Sequence, residues 1–185
     1  MVSQLKVNEI VKQSGSSITI GGDGDNVNLA SGSKAKLMNP SFLAYIDGTN
    51  TISDDTWTKV TFAAELFDSD SAYDSSTNYR FQPQLEGYYQ ISSTVTGNAS
   101  GVGKLRELYT QLYKNGSGYA MLSEENLNSG FDEYRRTSNG SFIVHLNGST
   151  DYVEVYTYIN STDGSPQYTG SSVKGTHFMA YRIGS

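Results

Sequence analysis

The sequence predicts an all-β fold, an antiparallel jelly-roll sandwich, and three observations carry that expectation. Apolar residues recur at every second position over short runs, the periodicity of half-buried strands. Turn dipeptides such as Asp47-Gly48, Asn115-Gly116 and Asn147-Gly148 separate the runs. Hydrophobic residues make up 36% and charged ones only 17%. The polarity therefore comes from Ser, Thr, Asn and Gly, which suits a turn-rich β protein better than a helical bundle.

Within the 185 residues the aromatic side chains mark a division. No Phe, Tyr or Trp occurs before Phe42. Aromatics bury large areas and dominate cores and interfaces, so the expected domains are an N-terminal segment, 1–40, and a globular head, 41–185. The leader reads as three alternating pieces, Leu5-Lys6-Val7-Asn8-Glu9-Ile10, Ser17-Ile18-Thr19-Ile20 and Asn26-Val27-Asn28-Leu29, with Gly/Ser/Asp turns between them. Each piece has one apolar face and nothing in its own segment to cover it. So short a segment buries too little surface to offset its chain entropy. It must dock, oligomerise around a shared axis, or remain a disordered linker. Asn39-Pro40 punctuates the junction.

In the head, Phe42-Leu43-Ala44-Tyr45-Ile46 reads as a strand ending at Asp47-Gly48. A strand over 56–62 follows, then a Ser/Asp-rich loop to about Asn78, then Tyr79-Arg80-Phe81-Gln82-Pro83. Glu86-Gly87 leads into a strand over 88–95. The segment 105–114 closes on Asn115-Gly116 as a hairpin. The run 104–112 also has helix-forming residues, but all its neighbours read as strands. A strand over 135–138 is expected to turn at Asn139-Gly140, and one over 142–146 at Asn147-Gly148. The segments 152–159 and 177–183 complete the set.

Charge and residue counts exclude several functions. A formal charge of −6 disfavours a nucleic-acid partner, because phosphate binding needs clustered Lys and Arg. Zero cysteines remove disulfides and thiolate metal sites. No run approaches the roughly 18 apolar residues of a membrane-spanning helix, and the first residues lack the apolar core of a signal peptide. Synthesis in a cytoplasm without membrane insertion is the expectation.

Candidate chemistry is sparse. His145 and His177 each lie in an expected strand, with no base–nucleophile or metal-ligand partner evident from spacing. Asp54-Asp55, Glu124-Glu125 and Asp132-Glu133 read as solvated turn acids rather than a glycosidase pair. The loop 68–74 begins with calcium-type spacing, Asp68 then Asp70, and departs from it at Ala72 and Tyr73. Five Asn-X-Ser/Thr sequons, at Asn98, Asn115, Asn139, Asn147 and Asn160, are attributed to turn chemistry. Tyr152, Tyr156 and Tyr158 share one face of a strand opposite Val153, Val155 and Ile159. A subunit interface is the favoured use of these tyrosines, ahead of a ligand face. No catalytic residue, metal or cofactor is expected.

Over residues 42–185 the order of pieces resembles the TNF-like jelly roll, the fold of tumour necrosis factor and of complement globular heads. The stretches that carry this are Trp57-Thr58-Lys59-Val60-Thr61-Phe62 with Phe67-Asp68 and Tyr73-Asp74, and Phe81-Gln82-Pro83-Gln84-Leu85-Glu86-Gly87-Tyr88-Tyr89-Gln90-Ile91-Ser92. Leu112-Tyr113-Lys114-Asn115-Gly116, the hairpin around Asn147-Gly148, and Phe178-Met179-Ala180-Tyr181 complete it. The resemblance implies a homotrimer with inner-sheet aromatics near the threefold axis, for which Tyr45, Tyr89 and Tyr181 are the residues it suggests.

The leader is similar to the N-terminal pieces of small fibre proteins of marine bacteriophages, on Leu5-Lys6-Val7-Asn8, Ile18-Thr19-Ile20-Gly21 and Asn26-Val27-Asn28-Leu29-Ala30-Ser31-Gly32. Together the two likenesses imply a non-catalytic structural protein on a virion surface, a short fibre or a capsid decoration. Leu5, Val7, Ile10, Ile18, Ile20, Val27 and Leu29 are then the expected attachment residues toward other virion proteins. The exposed head would meet a host-surface glycan or protein. The alternative is a soluble TNF-like module that binds carbohydrate or protein and joins no particle.

Overall fold

A computed structural model describes residues 39–127, 133–170 and 173–184. The seven expected attachment residues and the three leader strands lie outside these described residues.

Thirteen strands and no helix occur among the described residues. In chain order they are β1 (Ser41–Tyr45), β2 (Thr49–Thr51), β3 (Thr58–Lys59), β4 (Ala64–Asp68), β5 (Tyr73–Asp74), β6 (Arg80–Phe81) and β7 (Glu86–Asn98). They continue as β8 (Leu105–Lys114), β9 (Ser117–Asn126), β10 (Arg135–Asn147), β11 (Val153–Ser161), β12 (Gln167–Thr169) and β13 (His177–Gly184). All pairings are antiparallel. The first sheet runs β2-β12-β7-β13-β1-β4, with β10 on the other edge of β7; the second runs β5-β6-β11-β8-β9, with β3 on β11. The chain crosses between the sheets repeatedly, as in a jelly roll.

Alternation places the core between the sheets. β7 buries Tyr89, Ile91, Ser93 and Val95 and turns the intervening residues outward. Phe42 anchors the aromatic end of the core: its ring stacks on Tyr73 at 4.6 Å and Phe81 at 4.7 Å, and meets Phe178 edge-on at 4.9 Å. The buried hydroxyls of the core are paired, as burial demands, whereas Glu133 Oε2 is buried without a partner among the described residues. The Tyr73 hydroxyl donates to the Phe62 carbonyl (3.1 Å), the Tyr89 hydroxyl to the Leu85 carbonyl (2.6 Å), and the Thr110 and Ser138 hydroxyls meet at 2.7 Å between the sheets.

Several expected elements differ. The strand over 56–62 reduces to β3, after which the Val60 amide donates to the Val155 carbonyl. The chain here is leaving the second sheet for the first, and the Tyr168 hydroxyl takes up the Thr61 amide. The loop to Asn78 contains β4 and β5. β4 is an edge strand with a mostly exposed burial pattern, so it shows little alternation to read. Asn115-Gly116 is the expected hairpin turn, with φ of 52° and 79°. Asn139-Gly140 is not a turn. β10 runs straight through it from Arg135 to Asn147, paired with β7 along its whole length. The glycine answers a steric need, because a Cβ there would lie 2.7 Å from the Leu122 carbonyl carbon of β9.

Candidate interaction surfaces

Three surfaces of the sandwich present aromatic or apolar side chains. The first is the outward face of the first sheet. Register places Ser41, Tyr181, Gln90 and Ile143 in one row across β1, β13, β7 and β10. Phe67, Leu43, Met179 and Ser92 form the next row. Of these, Phe67, Ile143 and Tyr181 are about half exposed, as are Tyr88 and Ile183. These apolar side chains alternate with Ser41, Gln90 and Ser92 across the same face.

The three sequence-predicted interface tyrosines separate on this sheet. Tyr181 points outward and is 45% exposed. Tyr45 pairs with His177, is partly exposed and carries the Lys174 ammonium 4.9 Å above its ring. Tyr89 is a correction. It is 0% exposed, packed on Phe81 at 5.5 Å inside its own protomer, and has no surface to offer a sister chain. Tyr88 is the outward member of that pair, 48% exposed and edge-on to His145 at 5.1 Å. The signal was available in the sequence: Tyr89, Ile91 and Val95 share parity, and that parity is the buried one.

The second surface lies along the seam between β9 and β10, the outer strands of the two sheets on that side. Tyr119, Met121 and Phe142 are 42–49% exposed there, and the Tyr119 and Phe142 rings meet at 5.9 Å. Phe142 has inward parity, opposite Ile91, but among the described residues no strand continues the first sheet beyond β10 to cover it.

The third surface is the outer face of the second sheet. Tyr109 stacks on Tyr158 at 5.3 Å and 11°, and Tyr113 on Tyr156 at 3.8 Å and 19°. Trp57 covers the first pair, 5.6 Å from Tyr158 and 6.4 Å from Tyr109. The hydroxyls are engaged as well. Tyr158 donates to the Asp55 carboxylate, which pushes its pKa up to about 12, and Tyr109 donates to Glu107 at 2.8 Å. Tyr156 and Tyr158 thus each stack on a tyrosine of β8. Each stack covers one face of the ring, and Tyr152, the third tyrosine of that strand face, lies under the Arg80 guanidinium at 4.3 Å.

The candidate chemical groups do not converge. His145 lies 3.4 Å from Glu86 and is 43% exposed, while His177 faces the Lys174 carbonyl (2.9 Å) and Thr94 (3.5 Å). Asp68 accepts the Asp70 and Tyr73 amides. Asp74 accepts the amides of Ser76, Thr77 and Asn78, with Thr77 and Ser76 holding its carboxyl well below the usual carboxylate range. Asp54 accepts the Ser161 amide, and Glu125 and Glu133 share Arg136. Asp132 lies outside the described residues. Among those described, no three His, Asp or Glu side chains gather closely enough to hold a metal ion.

No protein-family model matches the chain, and no curated protein matches it. Solved structures do. The structure of Eiger TNF from S. frugiperda matches with a TM-score of 0.56 at 11% identity, over 80% of this chain and 92% of that one. Murine APRIL at pH 8.5 matches at 0.51 and 13% identity, over 78% and 99%. The globular domain of zebrafish complement 1qA protein matches at 0.51 and 15%, over 78% and 97%. At these identities the likeness establishes the fold: a TNF-like jelly roll.

Proposed function

We propose that this protein is a non-catalytic homotrimeric surface protein whose jelly-roll head assembles face to edge. One observation carries the reading. The chain exposes two apolar patches of different composition on different sides: the first-sheet face around Tyr88, Ile143 and Tyr181, and the β9/β10 seam around Tyr119, Met121 and Phe142. Unlike patches that complement one another make a heterologous contact, which closes into a ring when its rotation is 120°. The number three comes from the likeness to TNF-like heads.

The finer reading is a bacteriophage virion surface protein, a short fibre or a capsid decoration, made in the host cytoplasm. Residues 1–40 anchor it to other virion proteins and the head faces a host-surface glycan or protein. The similarity of the leader to marine phage fibre proteins supports this, together with the unpartnered alternation of Leu5, Val7, Ile10, Ile18, Ile20, Val27 and Leu29. A second reading, a TNF-like binding module that joins no particle, is favoured by the fact that the structural likenesses span 78–80% of this chain, close to the head alone.

Co-sedimentation separates the two. Full-length protein and a head cut near Asn39-Pro40 are each incubated with particles that lack the protein. Virion attachment predicts that only the full-length chain sediments with particles. A head that binds at full occupancy without its leader removes the attachment role from residues 1–40.

A further inference from the structure

Beside the β5–β6 edge of the second sheet lies a polar cavity of about 300 Å³. Arg80, Asp74, Asn78, Gln82, Gln84 and Ser71 line it. Arg106, Arg135, Arg136 and Arg182 each donate to an acceptor within the protein. Arg80 alone donates to none among the described residues. Its guanidinium lies instead on the ring of Tyr152, 4.3 Å from the centroid. Stacking fixes the plane of the guanidinium without using any of its N–H groups.

The neighbours explain why this cation stays open. Asp74 is directly across the strand pair from Arg80. Its carboxylate is turned into the following turn, where it accepts from the Ser76, Thr77 and Asn78 amides, the Ser76 hydroxyl and the Asn78 side-chain amide. Lys59 is matched by Glu154 at 2.5 Å. The amide nitrogen of Gln82 donates to the Ser149 carbonyl, and that of Gln84 to the Gln82 carbonyl. Their side-chain oxygens are left to accept from a ligand.

We infer that this cavity binds a carboxylate-bearing sugar, a hexuronate residue of an acidic polysaccharide. A fork of free guanidinium donors matches a carboxylate in two parallel bonds. Amide oxygens beside it need donors, which sugar hydroxyls supply and a phosphate group does not. Ala72 and Tyr73 complete a lining that is otherwise polar. This rests on reading the protein as a binding head, and it names the kind of surface the head meets.

The test uses the full-length protein with galacturonate, polygalacturonate, galactose, acetate and a short triglycine peptide with a free C-terminus. Binding is followed by saturation-transfer NMR and calorimetry. Galacturonate and polygalacturonate are expected to bind, with galactose and acetate at least about tenfold weaker. Arg80→Gln should weaken galacturonate by about tenfold or more, while Lys104→Gln, an exposed cation elsewhere, leaves it unchanged. Thermal unfolding by circular dichroism and molecular mass, measured on the same samples, verify that each variant is folded.

No galacturonate binding by wild type, equal binding by folded Arg80→Gln, equal binding of galactose, or tighter binding of the peptide would each overturn the assignment. A trimer that fails to bind galacturonate sinks this site alone. A monomer that binds it through Arg80 sinks the assembly and leaves the site standing.

Discussion

Gly140 of β10 lies directly against the backbone of Leu122 in β9, so close that an added Cβ would sit 2.7 Å from the Leu122 carbonyl carbon. The contact joins the two sheets along the β9–β10 seam. Gly140→Ala is therefore expected to destabilise the head by about 1–3 kcal/mol, the usual range for overpacking. Gly48→Ala is the control, since nothing lies within 4 Å of its added carbon. Urea midpoints measure both, and equal midpoints would mean that β9 moves away without penalty.

The hydroxyls of Thr110 and Ser138, both 0% exposed, tie the same two sheets together. Replacing one leaves the other buried and unsatisfied, at about 1–3 kcal/mol. Thr110→Val and Ser138→Ala should each destabilise, and the double variant should cost less than their sum. Strict additivity in a double-mutant cycle would show that the two hydroxyls do not interact.

Tyr89 and Tyr181 should separate folding from assembly. Tyr89→Ala empties a core position and is expected to cost about 3–5 kcal/mol of protomer stability. Tyr181→Ala removes a half-exposed ring and should leave protomer unfolding nearly unchanged while weakening self-association. If Tyr181→Ala unfolds the protomer and Tyr89→Ala does not, the inward and outward faces of the first sheet have been exchanged.

Stability should fall at both ends of the pH range. Burial pushes Tyr89 up to about 12, the Asp55 carboxylate pushes Tyr158 up to about 12, and burial pushes Tyr73 higher still. Folding raises these values above the ordinary 10.0, so their stabilisation is complete below pH 10 and is lost as pH rises toward 12. At the acid end the signs reverse. The Thr77 and Ser76 amides hold Asp74 low, Asn115 lowers Asp151, and Ser100 lowers Asp163. Their contribution is present above the ordinary 3.8 and is lost as pH falls below it. Urea midpoints across pH should form a plateau with both shoulders. Tyr158→Phe should flatten the alkaline shoulder and Asp74→Asn the acid one; unchanged shoulders would assign them to other groups.

The legible parts of the fold were those fixed by local chemistry. Alternation groups Val153, Val155 and Ile159 on one face, which is the buried one, and Asn115-Gly116 gives its turn because both residues tolerate positive φ. Asn139-Gly140 has the same local signal, yet there a long-range contact with Leu122 explains the glycine and no turn forms. Likeness to a family points Tyr89 to the interface, against the parity of its own strand. The Arg80–Tyr152 stack joins residues far apart in sequence. No periodicity or turn signal brings them together; only the pairing of β6 with β11 does.

Assembly is the central claim, and the mass of the full-length protein in solution tests it most directly. Sedimentation velocity is measured on wild type, Ile143→Glu and Phe142→Glu, which place a charge on the sheet face and on the β9/β10 seam. Wild type is predicted to sediment at three times the 20.2 kDa chain mass, with both variants shifted toward folded monomer. A folded wild-type monomer, or a trimer that neither charge disturbs, would contradict the face-to-edge account.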